Sequence, residues 1–185
     1  SWSMTAIAGP YLIVCAILGL GGVAKLVSPQ PARRALHTLR VPAPIAAVRA
    51  LGLAELALAV AAALVGGAIL PPMVGAAYLA FAVFVVAMLR GGGATSCGCF
   101  GSSSTPPSWL HVAINLVSAA VAFAATSIPA LGTTLSEQPG AGVPLIGLVV
   151  VGTYLSFVLL TLLPTVLAPP QPHISPFAII NETTR

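Results

Sequence analysis

The chain has 185 residues, of which 58% are hydrophobic and 5% are charged, and its mean hydropathy is +1.05. Soluble domains carry roughly 25% charged residues, so this composition excludes a water-soluble globular protein and predicts an integral membrane protein. The net charge of +4 comes mainly from basic residues near the ends of apolar runs, which is typical of topology and lipid-headgroup signals. We therefore expect membrane lipids as partners and no nucleic acid.

Five apolar runs are long enough to cross a bilayer as helices. None of them alternates with the period of two that a membrane β-barrel strand requires, so the sequence predicts an all-α membrane protein. Many small residues in these runs favour close helix packing in a bundle. The predicted transmembrane helices cover residues 6–26, 45–70, 73–89, 109–128 and 143–163.

The two ends of the chain are expected to lie outside this bundle. The Ser-Trp-Ser that precedes Met4 resembles an expression remnant, so residues 1–5 are predicted to lead into a retained first helix and not a cleaved signal peptide. Residues 164–185 are rich in proline and are predicted to be irregular. The sequence thus predicts one domain, the bundle of residues 6–163.

Two connections carry further signals. Residues 32–39 lie between proline-containing flanks and combine leucines with arginines, which predicts a short interfacial helix. Pro71 and Pro72 are expected to end the second transmembrane helix, because proline interrupts helical hydrogen bonding.

The loop before the fourth predicted helix holds two cysteines in the string Cys97-Gly98-Cys99. Disulfide-bonded cysteines have Cα atoms within about 4.4 to 6.8 Å, and the intervening glycine allows the bent backbone that such a tight ring needs. A strained, exposed disulfide exchanges readily, which favours a redox role. Metal binding by these thiols, or no chemical role for them, are the alternatives.

Polar residues form one stripe on the fourth predicted helix. His111, Asn115 and Ser118 have the spacing i, i+4, i+7, and such a stripe faces protein or water rather than lipid. The cysteine loop and the start of this helix lie on the same side of the membrane. His111 and the helix N-terminus would therefore lower the pKa of a nearby thiol. A His111 that only hydrogen-bonds a neighbouring carbonyl is the alternative, and in the metal hypothesis the ligands are Cys97, Cys99 and His111.

Glu55 lies ten residues into the second predicted helix, about 15 Å along its axis and so near the middle of the bilayer. A carboxylate there needs a partner or a proton, which makes Glu55 a candidate that carries a proton or faces Lys25, Arg49 or Asn115. A packing ion pair or a protonated carboxyl is the alternative. Lys25 and Arg49 are near enough to helix ends for their charges to snorkel to the headgroups, and Cys15 is predicted to be a buried, inert thiol.

The string CGCFG before a polar-striped helix resembles the MauE family of methylamine-utilisation membrane proteins, which is related to the DoxX-like four-helix membrane proteins. The likeness extends over residues 11–125 and includes the glycine-rich first helix and the string LGLAELALAV on the second. It implies a four-helix DoxX/MauE-like transmembrane bundle, to which this chain adds a fifth, C-terminal helix. The residues that carry the likeness are Lys25, Glu55, Cys97, Gly98, Cys99, Phe100, Gly101 and Asn115.

The resemblance implies that the protein works with a thioredoxin-like (MauD-like) partner to form or maintain disulfides in an exported client protein, from the bacterial plasma (inner) membrane. Cys97 and Cys99 would then be the redox pair, with His111 tuning the thiols and Lys25, Glu55, Asn115 and Ser118 supporting the interior. Quinone-linked disulfide-forming bundles look similar but use a second loop pair of cysteines, so a quinone is the one cofactor considered and its use is in doubt. Whether the protein is an enzyme is left open. The rival hypotheses are a non-catalytic assembly subunit and a metal-handling membrane protein.

Charge and resemblance predict opposite membrane orientations. The positive-inside rule places the cysteine loop in the cytosol, because most basic residues lie at the same end of the bundle as this loop. They are Lys25, Arg33, Arg34, Arg40 and Arg90. The resemblance implies the exported face, where disulfides persist. We take the exported face as the expectation.

Overall fold

The computed structural model describes residues 2–91, 107–127, 144 and 146–158, with side chains from residue 7 onward. These residues are helical apart from short connections, and they include no strand, so the all-α prediction is confirmed for this part of the chain. The helices are α1 (Trp2–Val27), α2 (Pro29–Thr38), α3 (Ile45–Leu64), α4 (Leu70–Arg90), α5 (Trp109–Ala124) and α6 (Ile146–Val158), and a 3₁₀ turn (Ala125–Ser127) follows α5.

Three helices in the described residues are long and apolar enough to cross a membrane: Ile7–Val27 within α1, and all of α3 and α4. The helices α5 and α6 are also apolar, but each has between 10 and 17 described residues. The prediction of a helical membrane protein is therefore confirmed. The predicted count of four spans plus a fifth stays a prediction.

The connection between α3 and α4 corrects one predicted boundary. Helix α3 ends at Leu64 and not at residue 70, because Gly66 and Gly67 adopt left-handed backbone angles with φ of 63° and 91°. Pro71 and Pro72, which were expected to end the second transmembrane helix, instead stand in the first turn of α4. Proline is tolerated there because the first N–H groups of a helix have no partner within the helix.

Helix α2 is the predicted short helix beside the bundle, and it starts slightly earlier than expected. Ala32 and Ala35 are buried against the bundle, while Arg33, Arg34 and His37 are exposed. The helix therefore turns a small apolar face inward and a basic face outward. We call the end of the bundle where it lies the α2 end; here α1 and α4 end and α3 and α5 begin.

The bundle consists of two antiparallel helix pairs. Helix α1 packs mainly against α3, and α4 packs mainly against α5, while contacts of α1 with α5 and of α3 with α4 join the two pairs. The antiparallel course of α1 and α3 follows from their neighbours, since Gly19 lies beside Ala59 and Gly22 lies beside Glu55. Helix α6 lies on the outer face of α1, where its Gly152 abuts Ile13.

The main apolar core lies away from the α2 end. Small and aromatic side chains from α1, α3, α4 and α5 form it, which permits the close helix contact expected in lipid. A smaller cluster of Ala82, Val85 and Val112 joins α4 to α5 nearer the α2 end. The main core consists of Tyr11, Val14, Cys15, Leu18, Ala59, Ala62, Val74, Tyr78, Ala119, Ala122 and Ala125.

Candidate functional site

Two glycines set the close crossing of α1 and α3. A Cβ atom on Gly22 would lie 2.6 Å from the carbonyl oxygen of Gly52, and a Cβ atom on Gly52 would lie 2.7 Å from the carbonyl oxygen of Gly22. No side chain fits at such distances. Each glycine also lies beside the charged residue of the other helix, Gly22 beside Glu55 and Gly52 beside Lys25. The crossing therefore brings the two charged side chains together.

Lys25 and Glu55 form a buried ion pair across this crossing. The Lys25 ammonium donates a hydrogen bond to Glu55 Oε2 over 2.7 Å, and the two side chains are only 9% and 4% exposed. Side chains on a helix lean toward its N-terminus, so on antiparallel helices these two lean toward each other. The interpretation of Lys25 as a snorkelling residue is wrong, because its charge is held by Glu55 inside the bundle. Arg49, another partner considered for Glu55, is exposed.

The ion pair is only partly satisfied by its surroundings. Lys25 Nζ also lies 3.4 Å from the carbonyl oxygen of Gly21 and 5.4 Å from the ring centroid of Phe81, which adds a cation–π contact. Glu55 Oε1 is buried and has no hydrogen-bond partner among the described residues. Buried polar atoms are nearly always hydrogen-bonded, so this oxygen marks a place where a further group is expected to bind.

The polar stripe of α5 approaches the ion pair from the other helix pair. His111 is 5% exposed, and its Nδ1 lies 2.8 Å from the hydroxyl oxygen of Ser108 at the start of the helix. The side-chain amide of Asn115 donates to the backbone carbonyl of His111 over 2.7 Å. The ring of His111 thus bonds a hydroxyl and not the neighbouring carbonyl considered as the alternative. Ser118 is buried one turn further along the helix.

A small cavity lies between these groups, with a volume of about 50 Å³. It brings together four of the predicted site residues, Lys25, Glu55, His111 and Asn115, from three different helices. Ser118 instead lines a neighbouring apolar groove between α1 and α5. The cavity is lined by Ile17, Leu18, Gly21, Lys25, Glu55, Tyr78, Phe81, Val85, His111, Ile114 and Asn115.

One comparison with known proteins finds a match. The family model described as methylamine utilisation protein MauE matches residues 3–132, which is more than half of the chain. The chain belongs to the MauE family. The matched region contains α1 to α5, every residue that lines the cavity, and the Cys97-Gly98-Cys99 string, while α6 lies beyond it. No curated protein and no solved structure matches the chain.

The MauE-family protein contains site residues that the sequence did not single out. Tyr78 donates a hydrogen bond from its hydroxyl to the carbonyl oxygen of Val14 over 2.7 Å, which ties α4 to α1 beside the cavity. Phe81 contacts Tyr78 edge to face with ring centroids 6.0 Å apart. The available signal was the spacing of three residues between Tyr78 and Phe81, which puts the two aromatic rings on one face of α4. A second signal was a repeated spacing: Gly22 stands three residues before Lys25, and Gly52 stands three residues before Glu55.

The predicted redox pair of this MauE-family protein lies outside the described residues, as do Gly98, Phe100 and Gly101. The described chain stops at Gly91 and resumes at Pro107, and both positions are at the α2 end. Within the described part, no group of three His, Cys, Asp or Glu side chains could hold a metal ion. The third cysteine, Cys15, lies in the main core and is 1% exposed, which confirms the prediction that this thiol is buried.

Proposed function

We propose that this MauE-family protein performs thiol–disulfide exchange through Cys97 and Cys99, with a thioredoxin-like protein as partner, and so forms or maintains disulfides in an exported client. The supporting observation is the burial of Cys15. The sequence has three cysteines, and Cys15 is enclosed by the main core, where a partner protein has no access to its sulfur. Exchange with another protein therefore falls to the remaining two, which belong to the connection at the α2 end.

The exchange proceeds by thiolate attack on a disulfide. One thiolate of the Cys97–Cys99 pair attacks a sulfur of the partner's disulfide, the partner's S–S bond breaks, and the departing sulfur takes up a proton. The second cysteine, after losing its proton, then attacks the mixed disulfide, which releases the partner as a dithiol and closes the Cys97–Cys99 disulfide. The reverse sequence of steps oxidises the partner. Cysteine and partner exchange two electrons and two protons in either direction.

The start of α5 supports this role through electrostatics. The helix N-terminus carries a partial positive charge, and His111 lies one turn into the helix with its Nδ1 held by Ser108. A positive potential stabilises a thiolate over a thiol. We propose that this end of the bundle favours the reactive form of one cysteine.

The proposed architecture places the protein in the bacterial plasma membrane. Helices α1, α3, α4 and α5 form a four-helix DoxX/MauE-like unit, and α6 is the fifth span. The α2 end faces the exported compartment, because disulfides persist there. The oxidant for client disulfides in this proposal is the partner's disulfide, which oxidises the Cys97–Cys99 dithiol. A quinone is no part of it, since the single loop pair offers no second relay.

Mixed-disulfide trapping tests the proposal. Replacing one cysteine of the pair by serine, as Cys97→Ser or as Cys99→Ser, removes the resolving thiol, so one of these variants is expected to accumulate a covalent complex with the thioredoxin-like protein. The double variant should form no complex and should lower the amount of oxidised client. Cys15→Ala is the matched control, because it removes a thiol of the same chain from a closed site, and it should leave client oxidation unchanged.

The same variants separate the rival functions. A non-catalytic assembly subunit would keep the client fully oxidised in the double variant. A metal-handling protein would carry stoichiometric Cu or Zn that disappears in the double variant, with Cys97, Cys99 and His111 as the ligands. Either result would contradict the exchange function.

A further inference from the structure

The cavity of about 50 Å³ is lined by polar side chains from different helices, among them Glu55 and His111. Glu55 Oε1 on α3 is buried without a hydrogen-bond partner among the described residues. His111 on α5 uses Nδ1 for its hydrogen bond with Ser108, which makes Nε2 the ring nitrogen available to the cavity it lines. A carboxylate with an unpartnered oxygen and an imidazole therefore line the same cavity.

Water is the ligand that this space fits. A site holds a water molecule when it has roughly 10 to 15 Å³ of room and two or more polar partners, and the cavity exceeds that volume several times. A water in this cavity has Glu55, His111 and Asn115 among the residues around it. Apolar cavities stay dry, and most of this lining is apolar, but Lys25, Glu55, His111 and Asn115 add the polar groups that a water needs.

We propose that water in this cavity joins Glu55 to His111, and that the imidazole of His111 exchanges protons between the buried Lys25–Glu55 pair and the membrane surface at the α2 end. The hydrogen-bonded route runs from Lys25 Nζ to Glu55 Oε2, from Glu55 Oε1 through water to His111 Nε2, and from His111 Nδ1 to the half-buried hydroxyl of Ser108. Imidazole suits this position because one ring nitrogen can accept a proton while the other releases one.

Each transfer conserves protons and charge. A proton that enters at Nδ1 from the Ser108 side is matched by one that leaves Nε2 to the cavity water, which passes a proton to Glu55 as the Lys25–Glu55 hydrogen bond rearranges. The return transfer restores the starting state. The other titratable group that lines the cavity is Tyr78, whose hydroxyl is engaged with the carbonyl oxygen of Val14. The route gives an interior ion pair access to surface protons without exposing its charges to lipid.

The sequence supplies a single-site probe, because Lys25 is its only lysine. Lysine labelled with ¹⁵N at Nζ therefore gives one side-chain signal in the whole protein, and its hydrogen exchange with water can be followed by NMR in lipid nanodiscs. We expect a signal that exchanges measurably in the parent protein. His111→Phe, which keeps a ring of similar size but cannot carry a proton, should slow that exchange by about 100-fold, the scale of a positioned proton-transfer group.

Two further variants separate a relay from a structural role. His111→Gln keeps a polar side chain toward the cavity but cannot pass a proton, so it should stay slow; exchange at the parent rate in this variant would overturn the proposal. His37→Phe is the matched control on the exposed face of α2 and should exchange at the parent rate. A Lys25 signal that does not exchange in the parent protein, or that exchanges equally fast with His111→Phe, would also overturn it.

This inference does not depend on the cysteines. The Cys97→Ser, Cys99→Ser double variant should keep the parent exchange rate at Lys25, because no atom of the route belongs to that string. Failure of the thiol–disulfide function would therefore leave the exchange data unaffected, and a failed exchange experiment would leave the trapping result unaffected.

Discussion

At the scale of single residues, the buried Lys25–Glu55 pair is costly to maintain in the bundle interior. Taking two charges out of water costs several kcal/mol for each ion, and their mutual attraction offsets this only with close contact and further hydrogen bonds. The 2.7 Å contact, the Gly21 carbonyl and the Phe81 ring provide part of that compensation. A pair kept at this cost on two helices indicates a role beyond packing.

The first prediction concerns removal of one member of this pair. Lys25→Met leaves the Glu55 carboxyl buried without its partner and should lower the free energy of unfolding in detergent micelles by about 3 to 5 kcal/mol. The double variant Lys25→Met, Glu55→Met should recover most of this loss, because neither charge then remains in the interior. Arg49→Met serves as the control and should change stability little, since Arg49 is exposed. If the double variant instead loses as much stability as Lys25→Met and Glu55→Met lose together, the two charges do not interact.

The sequence predicted some of this site and left the rest undecided. Glu55 stood out because a carboxylate near the middle of an apolar run needs a partner, and Lys25 was one of three partners considered. The choice among them depends on how α1 is aligned against α3, which no local pattern specifies. Lys25 also lies two residues from the end of its helix, where snorkelling is the ordinary behaviour of lysine.

At the scale of helices, the register of α1 against α3 is determined by backbone contact. In lipid no hydrophobic effect drives two apolar helices together, so close approach at small residues supplies the packing energy. Gly22 and Gly52 allow that approach at the level of the ion pair. A shift of one helix along the other would place a side chain against a carbonyl oxygen and separate Lys25 from Glu55.

The second prediction tests this crossing. Gly22→Ala or Gly52→Ala would place a methyl group 2.6 or 2.7 Å from a backbone carbonyl oxygen of the facing helix, so the helices must move apart. We expect a loss of about 1 to 3 kcal/mol in unfolding free energy, the usual cost of overpacking, with a shifted Lys25 Nζ signal. Gly147→Ala on α6 is the matched control, because a Cβ there meets no atom within 4 Å. Wild-type stability in both crossing variants would contradict the role of the glycines.

Helix existence and helix boundaries differ in how well the local sequence predicts them. The hydrophobic runs predicted the existence of every described transmembrane helix. Pro71 and Pro72 predict an end of α3 near residue 70, whereas Gly66 and Gly67 turn the chain several residues earlier. Proline and glycine both interrupt helices, but proline also fits a helix start, and the two meanings are separated only by the backbone angles around them.

At the scale of the whole molecule, α6 stands apart from the four helices that build the site. The family match ends at residue 132, and the described residues that line the cavity belong to α1, α3, α4 and α5. Helix α6 covers the outer face of α1, where it borders the two grooves on either side of that helix. Lipid chains can cover this apolar surface nearly as well as a helix can.

The third prediction follows from that arrangement. A chain that ends after residue 132 should insert into the membrane and keep the Lys25 Nζ signal of the full-length protein, because the described contacts of the ion pair come from α1, α3 and α4. The measurement is the position of this single ¹⁵N signal, together with the unfolding free energy. A shifted or broadened Lys25 signal in the shortened protein would show that α6 supports the site through α1. The Gly147→Ala protein serves as a full-length control.

The fourth prediction concerns the orientation of the molecule, on which the exposed arginines and the proposed function disagree. Five arginines are exposed toward the α2 end, a distribution that the positive-inside rule assigns to the cytosol. They are Arg33, Arg34, Arg40, Arg49 and Arg90. Thiol–disulfide exchange with an exported client instead requires the α2 end to face outward. Two reporter positions decide between them without relying on the cysteine string. Arg34 is exposed on α2, and Ile69 is 74% exposed in the turn at the opposite end.

We expect Arg34→Cys, made in a protein whose three native cysteines are replaced, to react with a membrane-impermeant maleimide in intact cells. Ile69→Cys in the same background should react only after the cells are permeabilised, because the α3–α4 turn then faces the cytosol. The parent without cysteines gives the background signal. The opposite labelling pattern would place Cys97 and Cys99 among cytosolic reductants, where a disulfide is not maintained, and the exchange function proposed for the exported face would be wrong.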